Sequence, residues 1–201
     1  MRTILTSIWL RARRSATGLL KDRSGVAAVE FAMIVPIMLV MFFGTVEFSS
    51  GVAVDRKVTL MARTLSDLTS QSTKATDCTL TNFFAASNGI MTPYSPLPTI
   101  AKITELLVDP TTLQAKVQWS RSATINASDI VVLGTGRTVG TIVPIPTALA
   151  VGGQYLIWSE VSYLYKPAVG YVMAPTGVNL SDVSFTRPRQ SPSVTYTVAC
   201  T

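Results

Sequence analysis

Residues 24 to 55 contain the apolar run that most constrains the fold. From Val26 to Val46 every residue is apolar or small except Glu30. A helix of about 21 residues is roughly 31 Å long, and the hydrocarbon core of a bilayer is roughly 30 Å thick. The run therefore predicts one membrane-spanning helix. A carboxylate in hydrocarbon costs on the order of a few kcal/mol, so we expect Glu30 to be paired or functional.

The first 25 residues form a basic leader. They carry six arginines and lysines against one acidic residue, whereas the whole chain has a formal net charge of +6. Basic residues beside a spanning helix stay on the cytoplasmic side, so we expect the long C-terminal part across the membrane. A cleaved secretory signal is the competing interpretation, but both the charged region and the apolar run are too long for one. Outside the leader no basic patch remains, which argues against nucleic-acid binding.

Beyond the membrane run, residues 26–70 are predicted to continue as one long helix. An apolar stripe at helical spacing marks one face of its outer half. The opposite face is polar, so this half is amphipathic and suited to lie against a sheet. The stripe consists of Val54, Val58, Met61, Leu65 and Leu68, and we place Asp55, Arg56, Arg63, Ser66 and Asp67 on the polar face.

The second half of the chain alternates with the period of β-strands. Residues 103–108 and 113–119 flank the turn Asp109-Pro110-Thr111 and predict a hairpin with one apolar face. Residues 155–165 predict a long strand. We predict two short strands at 183–186 and 194–198. Residues 71–99 and 121–153 are rich in Ser, Thr, Gly or Pro and are predicted as loops, with a short helix opening at 79–84 and one apolar patch at 130–133.

The predicted fold class is α+β. A long N-terminal transmembrane helix continues as an amphipathic helix packed on a mostly antiparallel β-sheet. We divide the chain into a basic leader at 1–25, a transmembrane and amphipathic helix at 26–70, and an extracytoplasmic β-rich domain at 71–201.

The two cysteines, Cys78 and Cys200, both lie in the part predicted to be outside the cytoplasm. Disulfides form and persist in oxidising compartments, so we expect a Cys78–Cys200 bond that closes a long loop. Two buried free thiols are the alternative.

Catalytic constellations are poorly represented. The chain contains no histidine, which removes the common Ser-His-Asp and Cys-His sites and most zinc sites. The glycine-rich segment 134–140 fits a turn better than a dinucleotide loop, because its third glycine is one residue late and no helix pattern follows. Asn126-Ala127-Ser128 fits a glycosylation motif that is common by chance. We expect neither an enzyme nor a bound cofactor or metal ion.

A group of residues around the apolar run is similar to a known family. Gly25, then four small or apolar residues, then Glu30-Phe31 resembles the processing site of Flp (type IVb) pilins and pseudopilins. With Pro36, Gly44 and Glu47-Phe48, the run resembles the TadE-like (TadE/TadG) family, which are minor pseudopilins of the tight-adherence system. Near the C-terminus, Glu160, Tyr163, Tyr165, Pro167 and Arg187-Pro188-Arg189 resemble the end of such proteins; from the residues alone, we expect the two arginines to form a structural clasp.

The resemblance implies a function and partners. Prepilin peptidase would cut between Gly25 and Val26, and Glu30 and Phe31 would take part in assembly with other pilins or pseudopilins. Further partners would be Tad inner-membrane assembly proteins and membrane lipid. The subunit would be a single-pass protein of the bacterial inner membrane, with a periplasmic domain, that starts or caps a pilus; the pilus itself would be its second location. An uncleaved anchored protein of the same system and an unrelated anchored periplasmic binding module remain alternatives.

Overall fold

The computed structural model describes residues 24–97, 99–167, 176–198 and 200. The chain divides into two compact units, of which one ends at Val46 and the other begins at Glu47. We call the second the outer unit. Except for Ser24 and Gly25, the predicted leader lies outside the described residues and stays a prediction, as do the predicted domain boundaries.

The described residues form one long helix, one shorter helix and eight strands. In chain order they are α1 (Ser24–Ser70), β1 (Lys74–Thr76), α2 (Asp77–Asn88), β2 (Thr99–Val108), β3 (Ala115–Ile125), β4 (Val131–Thr135), β5 (Ile142–Val143), β6 (Tyr155–Tyr165), β7 (Val178–Thr186) and β8 (Thr195–Thr197). Short 3₁₀ turns occur at Gly89–Met91 and Thr147–Leu149. The predicted long helix, the hairpin and the strand at 155–165 are confirmed.

Strands β4-β3-β2-β6-β7 lie in that order in one antiparallel sheet, to which β5 adds at the edge of β3. The strands β1 and β8 form a separate parallel pair. The predicted α+β class, with a long apolar N-terminal helix and a mostly antiparallel sheet, is therefore confirmed.

Two stretches predicted as loops contain regular structure. Residues 77–88 form the whole of α2, which starts at a capping box: the Thr76 side chain accepts from the Thr79 amide, and the Thr79 hydroxyl accepts from the Thr76 amide. Such caps satisfy orphan donors at a helix start, so threonines that look loop-like can begin a helix. The apolar patch at 130–133 becomes β4 because β3 offers a free edge there.

The predicted apolar stripe of α1 forms the core of the outer unit. Val54, Val58, Met61 and Leu65 are fully or almost fully buried, and Leu68 is half-buried. Val54, Val58, Met61 and Leu65 belong to one cluster with sheet residues that include Ile103, Ile157 and Val161. Burying each large aliphatic side chain contributes roughly 1.5 to 3 kcal/mol, so this stripe fixes α1 on the sheet.

The placement of Ser66 on the polar face was wrong. Ser66 is completely buried, and its hydroxyl donates to Ser184 at 2.9 Å and accepts from Thr186 at 3.0 Å. A buried hydroxyl needs hydrogen-bond partners, and β7 supplies them. The pattern of α1 alone could not reveal these partners because they lie 118 and 120 residues away.

A second apolar cluster lies on the opposite face of the sheet, since successive strand residues point to opposite sides. Along β6, Ile157 belongs to the cluster beneath α1 and Trp158 to the second cluster. Residues Val143, Ile145 and Leu149 cover this second cluster. The sheet is thus packed on one face by α1 and at one end of the other face by the segment after β4.

Candidate processing and assembly site

The four residues predicted to be processed or to direct assembly lie on the first turns of α1. Gly25, Val26, Glu30 and Phe31 are all exposed, and they span about 9 Å along the helix axis. A Cβ added at Gly25 would meet no described atom within 4 Å. Neither packing nor a left-handed backbone therefore requires glycine at this position within the part of the chain that the structure describes.

The helix segment that follows presents apolar side chains all around. Phe31, Met33 and Met41 are each more than two-thirds exposed. Among the described residues, α1 is the one helix that is long and apolar enough to cross a membrane. Large apolar side chains exposed over such a length need a lipid or protein environment.

Glu30 is the one acidic residue in this apolar segment. It forms no ion pair or side-chain hydrogen bond with any residue that the structure describes. Val26 precedes it by four positions, which places both on the same face of the helix. Among the described residues, therefore, none neutralises the Glu30 carboxylate.

A second carboxylate, Glu47, begins the outer unit and has a structural role there. It is 8% exposed, and the Tyr165 hydroxyl donates to it at 3.0 Å. Burial and the neighbouring Glu47 together raise the pKa of Tyr165 to about 12. The hydrogen bond ties α1 to the end of β6.

Other residues of the C-terminal resemblance are also structural. The Tyr163 hydroxyl donates to the Ser95 carbonyl at 3.0 Å, and Glu160 accepts two hydrogen bonds from one Arg137 nitrogen at 2.8 and 3.0 Å. The Arg137 guanidinium also lies 4.3 Å from the centre of the Trp158 ring.

Residues 187–198 and Cys200 form what we call the C-terminal strap. The Arg189 guanidinium lies 2.8 Å from the Asp67 carboxylate, and its backbone amide donates to the Ser70 carbonyl at 2.8 Å. Arg189 thus forms the expected structural clasp, by binding Asp67 and Ser70 near the end of α1. Arg187 is exposed and forms no ion pair with a described residue.

The centre of the strap is held by a buried carboxylate that the sequence analysis did not single out. The Val194 amide donates to Glu105 at 2.6 Å, and Trp119 Nε1 donates to the Val194 carbonyl at 2.7 Å. Glu105 and Trp119 are direct partners across β2 and β3. The signal was present in the sequence, because Glu105 occupies the apolar face of the predicted hairpin.

An ionic cluster holds the end of the strap. The Tyr196 hydroxyl donates to Asp77 at 2.6 Å, and Arg121 binds both Asp77 oxygens at 2.7 and 2.8 Å. Burial raises the pKa of Asp77, but the hydrogen bonds from Tyr196 and Arg121 outweigh it and hold the pKa below its usual value. Next to this cluster the predicted Cys78–Cys200 disulfide is present, with Cα atoms 5.4 Å apart.

The buried Glu105 predicts an unusual pH dependence of stability. Burial raises the pKa of Glu105 from 4.5 to about 7, against the opposing hydrogen bond from the Val194 amide. The folded state then binds a proton more tightly than the unfolded state. The contribution of protonated Glu105 to the free energy of unfolding is complete below about pH 4.5. It is lost as the pH rises through 7, by roughly 3 kcal/mol in total. We expect the Tm of the detergent-solubilised chain to fall between pH 5 and pH 8.

The variant Glu105→Gln is expected to remove most of this fall, because an amide keeps the acceptor for Val194 and does not ionise. Glu160→Gln is the matched control: it removes a carboxylate from the same sheet, but one paired with Arg137 near the surface. It should retain the wild-type pH dependence. If the Tm of the wild type and of Glu105→Gln fell equally between pH 5 and pH 8, the assigned cost of ionising Glu105 would be contradicted.

The metal and dinucleotide sites considered from the sequence can be compared with the described residues. Among the described residues, no group of three or more His, Cys, Asp or Glu side chains could hold a metal ion. In the glycine-rich segment, Gly134 lies in β4 and not in a turn, and a Cβ there would lie 2.8 Å from the Ser122 hydroxyl. Glycine at position 134 allows β4 to pack closely on β3. That the protein is not an enzyme stays a prediction.

Fold and site together define a class of protein: a folded α+β unit that continues from an apolar helix able to cross a membrane. The family model described as TadE-like protein matches residues 25–65, so this segment is similar to that family and the resemblance predicted from Gly25, Glu30-Phe31 and Glu47-Phe48 is confirmed. The match covers about a fifth of the chain. No curated protein and no solved structure matches. The resemblance near the C-terminus stays a prediction.

Proposed function

We propose that this protein is a minor pseudopilin of a Flp/Tad-type pilus. Prepilin peptidase cuts it between Gly25 and Val26, and the mature subunit starts or caps the pilus and thereby serves adhesion. The observation that carries the proposal is where the TadE-like match lies: it begins at Gly25 and ends at residue 65, within the buried stripe of α1.

The two parts of α1 support this role. Residues 26–46 expose apolar side chains that suit lipid or the helices of other subunits, and residues 54–65 bury a stripe in the core of the outer unit. One continuous helix therefore serves both as an anchor and as a structural element of the folded unit. A subunit that moves from a membrane into a helical bundle needs such a helix, because its apolar surface must stay covered in both places.

The proposed location follows from the charge pattern. The basic leader stays in the cytoplasm, residues 26–46 cross the inner membrane, and the outer unit lies in the periplasm. The proposed partners are the prepilin peptidase, other pilins or pseudopilins, Tad inner-membrane assembly proteins and membrane lipid.

Deletion of the gene tests the proposal. We expect loss of Flp-type pili and of surface adhesion in the deletion strain, with both restored by the wild-type gene. Pili are counted by electron microscopy, and an immunoblot of the major pilin checks that its level is unchanged. Normal numbers of pili in the deletion strain would contradict a role in assembly and would favour an anchored envelope protein.

A further inference from the structure

The chain contains two Asn-X-Ser sequences that the proposed function does not use. One is Asn126-Ala127-Ser128, and the other is Asn179-Leu180-Ser181. This motif is the acceptor for N-glycosylation, and it requires an accessible surface segment in a protein that leaves the cytoplasm. Sequence alone does not distinguish the two copies, whereas their backbone settings differ.

The first copy lies in the short loop that joins β3 to β4. Residues 126–130 are all exposed. The Asn126 Oδ1 accepts hydrogen bonds from the amides of Ser128 and Ile130, at 3.0 and 2.9 Å. Two backbone donors on one side-chain atom identify it as the oxygen. The amide nitrogen Nδ2 is therefore the other terminal atom, and it makes no hydrogen bond to a described residue.

The second copy lies inside a strand. Asn179 pairs with Leu164 and Ser181 pairs with Ser162 in the antiparallel ladder between β6 and β7. An acceptor segment held in this ladder cannot bend into a transferase site without breaking strand pairing. Both asparagines are exposed, so accessibility of the side chain does not separate the two copies; the backbone does.

The loop after β3 also lies at the end of the sheet where α1 enters the outer unit. Thr124, near the end of β3, pairs with Ile100, and the preceding residue of β2, Thr99, pairs with Tyr163 of β6. Two residues further along β6, Tyr165 donates its hydroxyl to Glu47, the first residue after the apolar run. The acceptor loop is thus at the sheet end that lies near Glu47, the first residue of the outer unit.

We propose that Asn126 is an N-glycosylation site. The donor is an oligosaccharide carried on a polyisoprenyl diphosphate, and the enzyme is a membrane-bound oligosaccharyltransferase. Nδ2 of Asn126 forms a bond to the anomeric carbon, the bond between that carbon and the diphosphate oxygen breaks, and the transferase takes one amide proton. The lipid diphosphate leaves with the bonding electron pair. The inference rests on the proposed function only in that the outer unit must lie outside the cytoplasm.

Intact-mass analysis of the full chain purified from its own host tests the proposal. We expect an added mass that matches a glycan in the wild type and in Asn179→Gln, and its complete loss in Asn126→Gln. Ser128→Ala should lose the added mass although Asn126 is intact, and Ser128→Thr should keep it, because the transferase needs the hydroxyl residue. All substituted positions are exposed, and recovery of the folded, oxidised protein checks each variant.

The same spectra distinguish failure of this proposal from failure of the proposed function. An oxidised Cys78–Cys200 pair reports that the outer unit reached an oxidising compartment, and loss of the leader reports processing. A processed and oxidised chain without added mass would overturn the glycosylation site alone. Added mass that persists in Asn126→Gln, or that is lost in Asn179→Gln, would also overturn it.

Discussion

Replacement of both Cys78 and Cys200 by serine is expected to lower the free energy of unfolding of the outer unit by about 4 to 5 kcal/mol. The disulfide joins residues 122 positions apart and so restricts the unfolded chain strongly. In the chain-entropy model, a closed loop of roughly 100 residues contributes about 4.7 kcal/mol. This is a large share of the 5 to 15 kcal/mol typical of a folded domain. The double variant should therefore unfold at a much lower urea concentration.

Fluorescence of the detergent-solubilised chain measures this effect, since Trp119 stacks on Tyr196 and donates to Val194 within the strap. The sequence has two cysteines and both are in this bond, so reductant has no other target. Reduced wild type should match the double variant, and the double variant should not respond to reductant. An unfolding midpoint unchanged by reductant would show that the noncovalent contacts of the strap carry the stability instead.

The variant Glu30→Gln is expected to abolish or strongly reduce assembly while the outer unit folds normally. After cleavage the new amino group of Val26 lies one helical turn from Glu30, and in a bundle the carboxylate of one subunit can pair with the amine of its neighbour. Removing one partner of a buried ion pair costs about 3 to 5 kcal/mol. Docking in the correct register should therefore weaken by roughly a hundredfold or more.

Pilus counts in cells that carry Glu30→Gln measure the effect, with immunoblots to confirm normal protein levels. Asp55→Asn is the matched control, because it neutralises an exposed carboxylate of the same helix outside the apolar run. Cleavage should persist in Glu30→Gln, since the cut site itself is unchanged. Normal pili at normal protein level would contradict the pairing role and would indicate that Glu30 reaches the lipid headgroups instead.

The long elements could be predicted because their patterns are local. The stripe from Val54 to Leu65 repeats over several helical turns, and residues 155–165 match β6 to the residue. The length of α2 was underestimated: only residues 79–84 were predicted as helix, because the start of α2 depends on one capping interaction between Thr76 and Thr79. The strand β4 was read as loop because its stability comes from the neighbouring β3. Short elements that are stabilised by partners leave little periodic signal in their own residues.

Among the functional and structural residues, too, those with a local sequence signal could be predicted and those with distant partners could not. Gly25, Val26, Glu30 and Phe31 could be singled out because they lie within seven residues and their spacing is itself the signal. The strap could not be predicted, since Val194 meets Glu105 across 89 residues of chain. Glu105 is unusual in the sequence because it is a carboxylate on an apolar strand face. Only the fold identifies the Val194 amide as its hydrogen-bond donor.

The mass of the chain extracted from membranes of its own host tests the central claim most directly. We expect a chain that lacks 25 residues and begins at Val26 in cells with a functional prepilin peptidase. Gly25→Leu should retain the whole leader, because a large side chain at the cut blocks the peptidase and the helix itself has space for it. Ala32→Leu, which adds the same bulk at an exposed position of α1, should still be cut. A wild-type chain that still begins at Met1 would contradict the assignment as a processed pseudopilin.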